Sequence, residues 1–106
     1  MISIRPILHN KKQFLDLLLL ADEQESMIDR YLERGDMFVL YDDDETKSAC
    51  VVTREDEGVY EIKSIATYPR FQQQGYGRKL IEYILEHYKD HCHTMLVGTG
   101  DSPLTI

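Results

Sequence analysis

Residues 71–84 read FQQQGYGRKLIEYI. Gly75 and Gly77 stand two apart behind Gln72, Gln73 and Gln74, and a helical pattern follows at once. Glycine has no Cβ, so the main chain can approach a ligand closely there. The first N–H groups of a helix lack intrahelical partners, and the helix dipole places roughly half a positive charge beside them. Together these effects make an anion site suited to phosphate. The three glutamines add neutral donors, and Arg78 adds a cation in the first turn. The stretch lacks the third glycine of a dinucleotide fingerprint and the Lys-Ser/Thr of a P-loop. A Gly-x-Gly pair is also what a tight turn uses, so the spacing alone leaves both readings open.

Such a turn must be carried by a strand before it and a helix after it. "GVYEIKSIATYP" is a long β-prone run that ends near Pro69. Leu80, Ile81, Ile84 and Tyr88 then lie on one helical stripe, and "TMLVGTG" reads as a last short strand. A helix between two such strands implies a parallel crossover, right-handed by the general rule. Upstream, "ISIRPIL" alternates as a first strand, with Pro6 ending it or setting it at an edge. Asn10 is placed to cap a helix near 11–21 whose apolar face is Phe14, Leu15, Leu17, Leu18 and Leu19. Asp22 with Glu25 resembles a capping box for a second helix near 23–34. There Met27, Ile28, Tyr31 and Leu32 fall at helical spacing, and Gly35 suits the position just past the end. Residues 37–41 and 48–53 are apolar runs joined by an acidic turn, a hairpin signal. The turn fails as a calcium loop, with Lys47 at the sixth position and Thr53 at the twelfth. The order is strand, two helices, three strands, helix, strand: an α/β (α+β) chain with a mixed, mostly antiparallel sheet.

Composition bounds what this fold can meet. The 106 residues make one domain, 42% apolar and 29% charged. A net charge of −7 argues against nucleic acid or an anionic membrane surface as main partner and suits a cationic substrate such as an amine. Cys50 and Cys92, without a signal sequence, read as reduced thiols of a cytoplasmic protein. The longest apolar run, 17–21, is far below the ~20 residues of a membrane span.

Gln72-x-x-Gly75-x-Gly77, after a strand ending "IATYPRF" and opening an amphipathic helix, resembles the signature of the GNAT superfamily of acyl-CoA-dependent N-acyltransferases. The order of elements is similar from the first strand to the fifth, over about 1–102. The resemblance implies acetyl-CoA as acyl donor and an amine as acceptor, with no metal. It implies that backbone groups of Ile65, Ala66 and Thr67 hold the pantetheine arm, and that the Ile65 amide polarises the thioester carbonyl. The segment from Gln72 through Gln73, Gln74, Gly75, Tyr76 and Gly77 to Arg78 would bind the coenzyme, its amides from Gln73 onward taking the pyrophosphate. Glu61, eleven positions before Gln72, stands where some members carry a general base. A hairpin-paired surface charge is the other reading of Glu61.

Relative to the family the chain lacks a further helix and final strands, including the helix that commonly carries a tyrosine acid. Ser102 and Pro103 resemble the opening of such a helix, and Gly98 and Gly100 suit a strand that splays to admit the acyl arm. The bare sheet edge implies a possible homodimer. The alternative function is a non-catalytic coenzyme-binding or structural remnant acting through that dimer. His87 and His91 share i, i+4 spacing but lack the glutamate of a zinc protease motif. At a helix C-terminus histidines also suit the dipole.

Overall fold

The computed structural model describes residues 1–97. Five strands form one sheet in sequence order: β1 Ile2–Ile7, β2 Asp36–Asp42, β3 Glu45–Asp56, β4 Val59–Thr67 and β5 Thr94–Val97. The first four pair antiparallel, and β5 lies parallel to β4. The crossover between β4 and β5 is α3, Tyr76–Tyr88.

Alternation along the central strands divides the apolar residues between two layers. Phe38, Leu40, Cys50, Val52 and Ile62 face α3, where Leu80 and Ile84 are fully buried. Met37, Val39, Ala49, Val51 and Ala66 face the opposite side, where Leu17, Leu18, Ile28 and Leu32 cover them. Strand β4 changes parity midway. Val52 pairs with Ile62, but Val51 pairs with Ser64, so Lys63 is an extra residue, a β-bulge. Because of it, Ile62 and Ile65 both pack toward α3. Among the described residues, pairing with β5 covers Val59 to Ile62.

The two upstream helices are shorter than their periodicity predicts. The segment expected near 11–21 is a 3-10 turn, Lys11–Phe14, leading into a single α-turn, α1 Leu15–Leu18. The one expected near 23–34 is α2, Glu25–Asp29, followed by turns to Arg34. Apolar spacing located the buried face, but Met27 lies outside it, at 39% exposure. Asn10 is not a side-chain cap; it adopts a left-handed conformation, φ 51°, which asparagine tolerates better than most residues. Gln24, not Asp22, precedes α2, and the Asp22 carboxylate accepts the Gln24 N–H at 3.4 Å.

Why the second segment stops is visible in Lys11. Its side chain is buried, and Nζ donates to the carbonyls of Leu32 (2.9 Å), Glu33 (3.3 Å) and Gly35 (2.7 Å). A cation at the C-terminal end of helical turns satisfies carbonyls that have no partner further along the chain. Gly35 permits a close approach: a Cβ there would lie 2.7 Å from Val51 Cγ1 and 2.9 Å from the Tyr31 carbonyl. Among the described residues no helix is long and apolar enough to cross a membrane.

Lys11→Met keeps the aliphatic stem and leaves three carbonyls without their donor. We expect a loss of about 1–3 kcal/mol, read as a lower midpoint in urea unfolding with an unchanged slope.

Candidate active site

Between the end of β4 and the start of α3 a cleft of about 720 Å³ opens. Its walls are residues 65–67 of β4, residues 71–73 of the following loop and residues 75–78 at the mouth of α3, with Leu20 contributed by the segment after α1. Ile65, Ala66, Thr67, Gln72, Gln73, Gly75, Tyr76, Gly77 and Arg78 all lie here together, as the sequence motif implies. Gln74 does not line it.

The floor of this cleft is a helix N-terminus. The first intrahelical bond of α3 runs from the Lys79 N–H to the Gly75 carbonyl, 3.0 Å. The amides before Lys79 precede that bond and have no partner within the helix. Gly75 is the N-cap residue at φ 86°, and Gln73 also adopts positive φ, 65°. Two left-handed residues so close together turn successive N–H groups toward one side, as in an anion-binding nest. A Cβ on Gly75 would meet nothing within 4 Å, so the glycine serves backbone conformation there, not packing space.

Long-range contacts hold the loop in place, and the sequence motif gave no sign of them. Phe71 is flanked by two cations, with Lys47 Nζ 3.4 Å and Arg70 Cζ 4.6 Å from its ring centre. Both cations meet Glu45, at 2.8 and 2.6 Å. Lys47 above all holds the Glu45 carboxyl below its usual range. The Gln72 side-chain amide donates to the Thr67 carbonyl (3.1 Å), tying the loop back to β4. The Gln74 amide donates to the Arg70 carbonyl at 3.4 Å. Two of the three glutamines therefore brace the turn with their side chains.

Tyr76, between the two glycines, donates its hydroxyl to Asp42 Oδ2 at 2.8 Å. Asp42 ends β2 and also meets the N-terminal ammonium at 3.1 Å. The Tyr76 hydroxyl first, and that ammonium second, hold the Asp42 carboxyl below its ordinary range. Asp42 and Glu45 thus pin the segment from Arg70 to Tyr76, while Asp43 and Asp44, both at positive φ, form the hairpin turn itself.

Glu61 is placed apart from the cleft walls. It pairs with Thr53 across β3, on the sheet face opposite α3, and its carboxylate lies 3.3 Å from Lys63 Nζ. Its side chain is 15% exposed. Beside it on β4, the Ser64 hydroxyl is fully buried with no hydrogen-bond partner among the described residues. Two tyrosines flank the same face. Burial first, then Asp22, pushes the Tyr31 hydroxyl up to about 12. Burial first, then Asp16, does the same for Tyr68. Both stay protonated at neutral pH.

His87 stacks on Tyr83 near the Phe38 ring, and α3 ends at Tyr88, before His91. Among the described residues no three His, Cys, Asp or Glu side chains gather as a metal site. Gly98, Gly100, Ser102 and Pro103, and with them the expected splay of the last strand, lie outside the described residues.

A mixed, mostly antiparallel five-strand sheet with a glycine-led helix after its fourth strand is the fold of the GNAT acetyltransferases. The chain belongs to the acetyltransferase (GNAT) family, whose family model matches residues 6–103. It is 33% identical over 93 residues to the uncharacterised N-acetyltransferase YvbK of Bacillus subtilis, covering 87% of this chain and 60% of that protein. Among solved structures it resembles a GNAT acetyltransferase of Elizabethkingia anophelis with acetyl-CoA bound, with a TM-score of 0.79 and 34% identity over 84% of this chain and 58% of that one. A Bacillus subtilis acetyltransferase in complex with CoA gives 0.78 and 30%, over 85% and 59%. The chain thus spans about three fifths of the length of these relatives.

Tyr76→Phe removes the hydroxyl that lowers the Asp42 pKa. A lowered carboxyl contributes stability that is present above its unfolded pKa and lost as pH falls through its folded one. We expect the wild-type protein to lose more stability than Tyr76→Phe as pH is lowered through the acid range, measured by urea midpoints at a series of pH values.

Proposed function

We propose that the protein transfers an acetyl group from acetyl-CoA to a primary amine by direct attack, with no covalent enzyme intermediate. The observation that carries this reading is the row of main-chain amides at 73–78, which opens into a cleft lined by residues 65–67 of β4. A diphosphate fits the amides by charge and by hydrogen bonding. An extended pantetheine arm fits the strand edge at 65–67, whose outer side lacks a β5 partner among the described residues. The Ile65 N–H is the assigned donor to the thioester oxygen, and it acts most strongly on the charge that develops as the carbonyl is attacked.

Glu61 is the assigned general base. An alkylamine with a pKa near ~10.4 is mostly protonated at neutral pH and carries no lone pair for attack. A positioned carboxylate that accepts its proton typically contributes ~10²–10⁴-fold. Because Glu61 does not line the coenzyme cleft, the proton reaches it from an amine arriving on the α1–α2 face, directly or through one water. The departing thiolate has a low proton affinity for a leaving group, since thiols have a pKa near ~8.5, so the step proceeds without an assigned acid. Solved relatives described with acetyl-CoA or CoA bound support the choice of donor.

A second reading, a coenzyme-binding remnant that acts as a dimer, draws on β5. That strand presents Leu96 and Val97 at 43% and 49% exposure. Turnover separates the two readings.

Coenzyme A at 100 times its dissociation constant should stabilise the protein by ~2.7 kcal/mol, while ATP at the same concentration should not. Gly75→Val should abolish the shift, because a β-branched residue resists φ near +86°. Glu61→Gln should keep coenzyme affinity and lower kcat by ~10²-fold or more. Full thiol release by Glu61→Gln would remove the base assignment. Coenzyme binding without thiol release under any amine would favour the remnant.

A further inference from the structure

We propose that Lys63 is itself an acceptor: the protein acetylates the Nζ of its own Lys63. The inference rests on the acetyl-transfer reading of the β4 edge and adds a modification site to it. Lys63 is the bulged residue of β4. Its Nζ lies 3.3 Å from Glu61 Oε1 and 3.9 Å from Glu55 Oε1. A primary alkylamine is thus already held against the carboxylate assigned to take a proton from the acceptor. Lys63 is also two residues from Ile65, whose amide is assigned to the thioester oxygen, and two residues of extended chain span at most ~7 Å. Two residues on from Lys63, residues 65–67 of β4 line the cleft.

The other lysines are placed for different work. Lys11 is buried against three carbonyls, and Lys47 lies over the Phe71 ring with Glu45. Lys12 pairs with Glu25 and Asp29, and Lys89 with Glu86, all in exposed positions. Lys79 is on α3. Of the six lysines in the chain, Lys63 alone is recorded within ion-pair distance of Glu61.

The step balances without an added oxidant or reductant. Glu61 takes one proton from the Lys63 ammonium, and the freed lone pair attacks the acetyl carbonyl carbon. The N–C bond forms and the C–S bond breaks. A second nitrogen proton passes to the departing thiolate, and the third remains on the amide nitrogen. Products are Nε-acetyl-lysine, coenzyme A thiol and one proton left on Glu61 for solvent. Acetylation removes the one cation beside Glu61 among the described residues, whereas Glu55 keeps Arg34 at 3.3 Å. Glu61 is then left to an incoming amine.

The test is incubation with deuterated acetyl-CoA and no added amine, with occupancy at each lysine followed by peptide mass spectrometry. Lys63 should be labelled about tenfold or more faster than exposed Lys12 and Lys89, because it reacts within a preformed geometry. The rate per molecule should not depend on protein concentration. Glu61→Gln should slow Lys63 by about tenfold or more while Lys12 and Lys89 label as before, and a retained coenzyme-induced thermal shift reports that the variant is folded. Glu55→Gln should keep the fast labelling. Labelling of Lys63 no faster than of Lys12, or indifferent to Glu61→Gln, overturns the proposal. A parallel assay of thiol release over an amine panel keeps the two levels distinct. Turnover of amines with Lys63 unlabelled removes this inference alone. Absence of any coenzyme-induced thermal shift removes the acetyl-transfer reading and this inference with it.

Discussion

Everything in this structure turns on a helix start that the protein leaves open. Helices commonly have their first amides capped by a side chain, yet α3 begins with Gly75 and has no side-chain cap. Amides left in that state are tolerable only when water or a ligand takes them, since a buried N–H without a partner is costly. The cleft beside them meets that requirement. It also explains the investment around the loop: Phe71 between two cations, Gln72 tied to Thr67, and Tyr76 tied to Asp42. None of these contacts uses the amides at 75–78. They fix the backbone from behind and leave its donors facing outward.

The second constraint is a change of facing within β4. A regular β4 would place Ile62, Ser64 and Ala66 on one face. The extra residue at Lys63 turns Ile65 toward α3 and leaves Ser64 and Ala66 toward α1 and α2. Bulges bend a strand and disrupt its ladder locally, so a single inserted residue re-aims the side chains that follow it. Glu61 and Lys63 sit at this bulge, two to four residues before Ile65, where β4 begins to line the cleft. Main-chain donors at the start of α3 and the side chains of Glu61 and Lys63 are thus carried by different parts of the β4–α3 unit.

How much of this was legible beforehand follows from the range of the forces involved. The Gln72-x-x-Gly75-x-Gly77 spacing exposed the glycine-led start of α3, because a helix start is local and its residue requirements fall within six positions. The alternation at 37–41 and 48–53 exposed the hairpin, and the stripe of Leu80, Ile84 and Tyr88 exposed α3, for the same reason. Two readings failed where local pattern competed with tertiary contact. Apolar spacing predicted long helices near 11–21 and 23–34, but the first is a 3-10 turn with one α-turn and the second is α2 followed by turns, whose last carbonyls Lys11 takes at 32, 33 and 35. The Asp22–Glu25 spacing predicted a capping box, but Gln24 holds the position before α2.

What the sequence determined by itself, then, was the order of the elements, the division of apolar residues between two faces and the glycine turn that opens α3. Each depends on a periodicity of two or 3.6 residues or on backbone preferences at single glycines. Tertiary structure alone decided what braces that turn and what stands beside Glu61. Asp42 and Tyr76 are 34 residues apart, and Lys47 and Phe71 are 24 apart. No local spacing encodes such pairs, because they exist only once the sheet has brought the hairpin end to the mouth of the helix. The bulge at Lys63 is of the same kind: it is defined by the strand opposite, and a strand has no register until it meets its partner.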